Sequence, residues 1–265
     1  MNSVILIPAR FGSSRYPGKP LVELKGAGGA GKPLILRSVD AARRVSGVSG
    51  VFVTTDDERI ADACTRYGVG VIVTSADCRN GTERCAEAVK QLHDVDLVIN
   101  FQGDALLTPP AFVEALIARM EQDTDAPVAT PALRLSSDEL RQLQKDEVAG
   151  RVGGTTVVTD NRSRALYFSK RLIPHLPSRS LGEGTSPVRL HIGVYAYRPK
   201  ALALYAGATQ SDLEQLEGLE QLRFLAIGVP VAVVDVPPPP FTLRELNNPE
   251  DVGPIEQALR EAGLE

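Results

Sequence analysis

The chain has 265 residues, 43% of them hydrophobic, with 29 Lys and Arg against 33 Asp and Glu and a formal net charge of −4. That balance excludes a general binder of nucleic acid or of acidic membranes, and it makes any basic cluster a local feature suited to small anions. Cys64, Cys78 and Cys85 lack C-x-x-C spacing, and His93, His175 and His191 are scattered, which argues against a disulfide framework and a zinc site. No apolar run reaches the roughly 18 residues of a membrane span, and the first residues lack the form of a signal peptide, so a cytoplasmic protein is expected.

Val4 to Ile7 is a short, β-branched apolar run of buried-strand length, and it empties into a loop carrying Arg10, Gly12, Ser13, Ser14, Arg15, Gly18 and Lys19. Glycines let backbone N–H groups turn toward a ligand, and the cations supply charge for a polyphosphate. The spacing is neither G-x-x-x-x-G-K-[ST] nor G-x-G-x-x-G, so neither the P-loop nor the dinucleotide mechanism follows. On these residues alone the loop reads equally as a phosphate cradle or as a solvated basic turn.

Ala27 to Gly31 reads as a flexible surface insertion, followed by a helix to about Ser46 with Pro33 in its first turn. Val51 to Thr55 and Val69 to Val73 read as strands on either side of a helix. Asp56-Asp57 at its start either caps that helix or touches ligand. This βαβαβ alternation predicts a parallel, doubly wound sheet with ligands outside the carboxyl ends of its strands. Asn80-Gly81-Thr82-Glu83-Arg84 is a turn opening another helix, whose first N–H groups and Arg84 are available to an anion.

Val98 to Asp104 is a buried strand ending in an amide, a glycine and a carboxylate, where Asp104 is either a turn residue or a hard oxygen ligand for Mg²⁺ beside a polyphosphate. A helix over 109–122, a strand over 126–135, a charged helix over 136–145 and strand-like pieces over 150–158 and 164–170 follow. Period-two alternation from Arg189 to Arg198 puts His191, Gly193, Tyr195 and Tyr197 on one strand face, able to hydrogen-bond sugar hydroxyls or to pack against a subunit or loop. Leucines at 213, 216, 219, 222 and 225 predict one helix with a leucine core stripe. Beyond the stiff Pro237 to Pro240 link, Asn248 and Pro249 open the last helix.

The string Pro8-Ala9-Arg10-Phe11-Gly12-Ser13-Ser14-Arg15-Tyr16-Pro17-Gly18-Lys19 resembles the opening motif of the sugar nucleotidyltransferases. With Gly81-Thr82-Glu83-Arg84, the N-x-Q-G-D of 100–104, the H-x-G-x-Y of 191–195 and Glu220-Gln221-Leu222-Arg223, it is most similar to the 3-deoxy-manno-octulosonate (Kdo) cytidylyltransferases, or CMP-Kdo synthetases. The resemblance implies an α/β fold, a doubly wound, mainly parallel Rossmann-like sheet of the nucleotidyltransferase type with a smaller acceptor and dimerisation subdomain. It spans 1–265 as a single domain, with 1–135 and 210–265 as nucleotide-binding core and 136–209 as the subdomain. It implies CMP transfer from CTP to a small acidic acceptor, Kdo, a precursor of lipopolysaccharide, with release of pyrophosphate, Mg²⁺ as cofactor and a homodimer as the working form.

Carried over residue by residue, it implies that Arg10, Lys19 and Asp104 are catalytic. Pro8, Ala9, Arg10, Gly12, Ser13, Arg15, Lys19, Asn80, Gly81, Thr82, Arg84, Gln102 and Gly103 would bind nucleotide. Arg15, His191, Tyr195, Glu220 and Gln221 would bind the acceptor, and Asp104 and Asn247 the metal. The chain departs from the family pattern at Asn80, usually serine, at Ala105-Leu106, usually Glu-Pro, at Thr156, usually lysine, and at Asn247, usually an aspartate that is the second Mg²⁺ ligand. These departures keep open a paralogue acting on another acid, such as a related 2-keto sugar acid or phosphonoformate, and a CTP-binding protein without catalysis. No Ser/His/Asp or Cys/His arrangement argues for a covalent intermediate.

Overall fold

The computed structural model describes residues 1–12, 16–177 and 186–265. The apolar run after Asn2 forms β1 (Ser3–Pro8), followed by a hairpin of β2 (Glu23–Lys25) and β3 (Gly31–Pro33) and by α1 (Leu34–Arg43). Then come β4 (Gly50–Thr55), α2 (Glu58–Arg66), β5 (Gly70–Val73), α3 (Gly81–Ala88) and β6 (Leu97–Asn100). The order β5-β4-β1-β6 is parallel throughout, with Ile5 opposite Val51 on one side and Ile99 on the other. The chain winds outward from β1 through β4 to β5, then returns to β6 on the far side of β1. The crevice outside the carboxyl ends of β1 and β6 is therefore a topological switch point, where such sheets bind ligands.

The second half holds α4 (Pro110–Gln122), β7 (Val128–Arg134), α5 (Ser137–Val148), β8 (Thr156–Thr159), β9 (Ala165–Ser169), β10 (Arg189–His191) and β11 (Tyr195–Tyr197). It closes with α6 (Pro199–Gly207), α7 (Asp212–Glu217), α8 (Leu222–Ala226), β12 (Val231–Val236) and α9 (Val252–Glu261). β11 runs antiparallel between β6 and β7, β10 antiparallel between β7 and β8, and β12 parallel to β7. Alternation along the strands divides the core. Ile5, Ile7, Ile99 and Phe101 pack with Val39 and Leu116 on one face; Leu6, Val98 and Tyr197 pack with Ala86, Leu202 and Phe224 on the other.

Four sequence expectations are corrected. The strand over 189–198 is interrupted, because the chain leaves the ladder between His191 and Tyr195, where the Val194 N–H donates to the Ile192 carbonyl at 2.7 Å. His191 and Tyr195 nevertheless stay on one face, with ring centroids 5.4 Å apart. The leucine stripe is not one helix: Gly218, at φ +60°, ends α7 in a left-handed cap. Leu213 and Leu216 are 47% and 84% exposed, while Glu214 turns inward, held by Arg223 at 2.6 Å.

The glycine run is the turn of the β2–β3 hairpin, pinned where the Ala27 N–H donates to the Leu264 carbonyl at 2.8 Å and the Gly28 N–H to Glu265 Oε1 at 2.8 Å. Pro33 is the N-cap of α1 rather than part of its first turn. Cys64 and Cys85 are buried as small core residues. Among the described residues, no helix is long and apolar enough to cross a membrane.

Candidate active site

At the switch point lies a cavity of about 300 Å³. Its first wall is Pro8, Ala9 and Arg10 from the end of β1, with Lys19 and Pro20 from the turn that follows. Gly18 shapes that turn: its φ is +72°, its N–H donates to the Phe11 carbonyl at 3.0 Å, and a Cβ there would sit 3.0 Å from the Phe11 ring. The Arg59 guanidinium stacks 3.3 Å from the centroid of the same ring, tying the turn to α2. Arg10 is exposed, and among the described residues it has no ion pair or hydrogen bond. Gly12 is exposed nearby, whereas Ser13 and Arg15 lie outside the described residues.

The second wall is Gln102, Gly103 and Asp104, just beyond β6. A Cβ at Gly103 would lie 2.9 Å from the Pro8 carbonyl oxygen, so only glycine lets the two strand ends approach this closely. Ser38 Oγ donates to the Gly103 carbonyl at 2.9 Å. Lys19 Nζ meets Asp104 Oδ2 at 2.5 Å, joining the two walls through half-buried side chains.

The third wall is the start of α3. Asn80 caps the helix, its Oδ1 accepting the Glu83 N–H at 2.9 Å and its Nδ2 donating to Tyr205 Oη at 3.0 Å. Arg84 pairs with Asp56 at 2.9 Å, and Arg79 with Glu83 at 2.5 Å. Asp57, not Asp56, caps α2, accepting the Arg59 N–H at 3.0 Å. Thr82 lies buried beneath the wall, with its Oγ1 3.0 Å from Tyr197 Oη and its N–H donating to Glu220 Oε2 at 3.2 Å. The α3 N-terminus is thus already answered by a carboxyl group of the protein itself.

Behind this wall sit His191, Tyr195, Glu220 and Gln221. Tyr195 stands opposite Asn100 in the β6–β11 ladder. His191 Nε2 is 3.0 Å from Thr130 Oγ1, and desolvation lowers the ring's pKa to about 3, so it is neutral at pH 7. Burial pushes Tyr195 and Glu220 upward, and Glu220 lies close enough to raise Tyr195 further.

Asn247 does not line the cavity; its N–H donates to Asp251 Oδ2 at 2.9 Å, within the cap of the last helix. The other departures are structural: Leu106 packs with Leu34 and Ile255, and Thr156 Oγ1 donates to the Arg171 carbonyl at 2.6 Å. Sequence reasoning missed Pro20, Leu34, Cys78 and Arg79 as wall residues. The positions of Cys78 and Arg79 just before the Asn80 turn were the available signal. Burial, then the hydrogen bond to Glu87, pushes the Cys78 thiol up to about 11, so it is no thiolate nucleophile at neutral pH.

A switch-point cavity walled by lysine, arginine and a strand-end carboxylate suits a phosphate-bearing ligand, and, with the family match that follows, the fold is that of a nucleotidyltransferase. The comparisons narrow the class. The cytidylyltransferase family model matches residues 4–232. The chain is 39% identical to the 3-deoxy-manno-octulosonate cytidylyltransferase of Maricaulis maris, over 99% of both chains. It is 37% identical to the 8-amino-3,8-dideoxy-manno-octulosonate cytidylyltransferase of Shewanella baltica, over 98% of this chain and 99% of the relative. A solved CMP:2-keto-3-deoxy-manno-octonic acid synthetase, complexed with CTP, superposes with a TM-score of 0.84 at 34% identity, covering 99% of this chain and 100% of its own. The chain belongs to the cytidylyltransferase family and is a CTP-dependent nucleotidyltransferase.

Proposed function

We propose that the protein transfers CMP from CTP to Kdo and releases pyrophosphate. The observation that carries this reading is the full-length likeness to Kdo cytidylyltransferases, combined with a cavity that gathers Arg10, Lys19, Gln102, Gly103 and Asp104 around one switch point. An acceptor hydroxyl of Kdo attacks the α-phosphorus of CTP in line; the new O–P bond forms as the bond to the β-phosphate oxygen breaks and pyrophosphate departs. Arg10, Lys19 and Arg15 neutralise charge on the triphosphate, while Asn80, Gly81, Thr82 and Arg84 position the nucleoside. His191, neutral at working pH, accepts or donates hydrogen bonds without adding charge, and with Tyr195, Glu220 and Gln221 it holds the sugar hydroxyls.

Mg²⁺ is proposed as the cofactor. The Asp104 carboxylate is a hard oxygen donor on the cavity wall, already facing a cation in Lys19. Among the described residues there is no group of three His, Cys, Asp or Glu that could hold a metal; Asp104 is the carboxylate proposed to reach the cation, the remaining oxygen ligands coming from substrate phosphates. When bound, the ion supplies charge neutralisation at the phosphate oxygens. A cytoplasmic homodimer is the proposed working form, for which exposed Leu166 on β9 and Leu216 on α7 offer apolar surface.

One observation favours a second acceptor: relatives named for the 8-amino-3,8-dideoxy acid match this chain as fully as those named for Kdo. Pyrophosphate release from CTP and Mg²⁺ decides between them, with Kdo, the 8-amino acid, phosphonoformate and no acceptor in parallel. Kdo is expected to give the highest kcat/KM; a preference for the 8-amino acid would reassign the acceptor, and CTP binding without release in every arm would overturn the catalytic reading.

A further inference from the structure

Asn100, the last residue of β6, is wholly buried, and neither its Oδ1 nor its Nδ2 has a hydrogen-bond partner. A buried amide with both ends unsatisfied weakens the folded state, and native proteins rarely keep one without a use for it. Its surroundings suggest the use. Asn100 stands opposite Tyr195 in the ladder, so the two side chains share a sheet face. A Cβ on Gly81 would lie 3.5 Å from Asn100 Nδ2 and 3.7 Å from Gln102 Nε2, so the space left by the missing Gly81 side chain is bounded by both amides; Gly81 and Gln102 line the cavity, and Asn100 lies buried directly behind them. Gln221 Nε2 is a second buried donor without a partner, next in the chain to Glu220, which reaches back to Thr82.

We propose that Asn100 is an acceptor-binding residue whose amide takes a hydroxyl of the sugar acid as donor and acceptor at once, alongside Gln221. This rests on the sugar-acid reading above. A hydroxyl can satisfy both ends of an amide, whereas a phosphate oxygen satisfies only Nδ2, so the partner is a sugar hydroxyl rather than the triphosphate; the position level with Tyr195 favours the acceptor over the ribose. Gln102, two positions further along the chain, lines the cavity, while Asn100 lies deeper and level with Tyr195.

The test is Asn100→Leu, of the same branched outline though larger, with three readouts on the full chain. The melting temperature should rise by about 2–4 °C, because an unpaired amide is replaced by an apolar group. The KM for the acceptor that wild type uses should rise about tenfold or more, with the Kd for CTP unchanged. Asn100→Ala, which adds no volume, carries the same KM expectation, so a leucine variant that fails to fold leaves the test intact. An unchanged acceptor KM with a lowered melting temperature would overturn the proposal and make the amide a structural group, and a rise confined to CTP would reassign it to the nucleotide. Failure of the sugar-acid reading shows separately, as a wild-type enzyme that binds CTP and ignores both sugar acids.

Discussion

Lys19 Nζ lies 2.5 Å from Asp104 Oδ2, so the ammonium already neutralises the carboxylate oxygen that the proposed Mg²⁺ would compete for. The pair links two segments 85 residues apart and keeps the carboxylate neutralised without metal. Lys19→Met should therefore weaken CTP binding yet tighten binding of Mn²⁺ alone about fivefold, read by electron paramagnetic resonance without nucleotide. Asp104→Asn should lower kcat for pyrophosphate release by about 100-fold or more. Metal affinity unchanged in the methionine variant would mean that lysine and metal do not compete.

The approach of Gly103 to Pro8 sets a second expectation. A methyl group placed 2.9 Å from a backbone carbonyl must push the β1 and β6 ends apart, so Gly103→Ala should lose about 1–3 kcal/mol in urea unfolding. Gly12→Ala is the control, because a Cβ there meets nothing within 4 Å; its unfolding midpoint should not move.

Arg223 is wholly buried, bonded to Glu214 at 2.6 and 2.7 Å and to Glu83 at 2.8 Å, and stacked 4.0 Å over the Tyr205 ring. Arg223→Met leaves the buried Glu214 without its counter-ion and should cost about 3–5 kcal/mol. Adding Glu214→Leu should restore much of that loss. A double variant as unstable as the single one would show that packing on Tyr205, rather than charge, is what Arg223 contributes.

His191 makes stability depend on pH in a stated window. Its folded pKa, about 3, lies below the ordinary 6.5, so between these values the unfolded chain holds a proton that the folded ring refuses. The contribution is fully present above pH 6.5 and is lost as pH falls toward 3. His191→Gln should flatten the stability profile across that window, measured by urea unfolding at successive pH values, and the wild-type imidazole NMR signals of His191 should not titrate between pH 5 and 8.

The strand-end motifs were legible because their signals are local: a β-branched run, a glycine where strand ends close up, an Asn at the cap of α3. The same locality explains the misses. Three-residue spacing of leucines from 213 to 225 is helical whether or not a glycine stands in the middle, and only the pairing of Glu214 with Arg223 decides which face turns inward. The break at 192–194 comes from β10 and β11 serving different neighbours, β8 and β6, which alternation along one strand cannot report. Arg223 reaches Glu83 across 140 residues of chain, a partnership no spacing rule encodes.

The Glu220 carboxyl against the Thr82 N–H gives the crevice a head and a tail. A bare helix terminus would draw phosphate much as the basic turn does, and a nucleotide could then lie either way round. With that terminus answered from within, and with Arg79, Arg84 and Lys19 engaged by Glu83, Asp56 and Asp104, Arg10 is the cavity cation with no ion pair among the described residues. A nucleotide bound as proposed would set its phosphates toward Arg10 and leave its uncharged base to the opposite side, so the crevice would act as a polarised socket that accepts its plug in one sense.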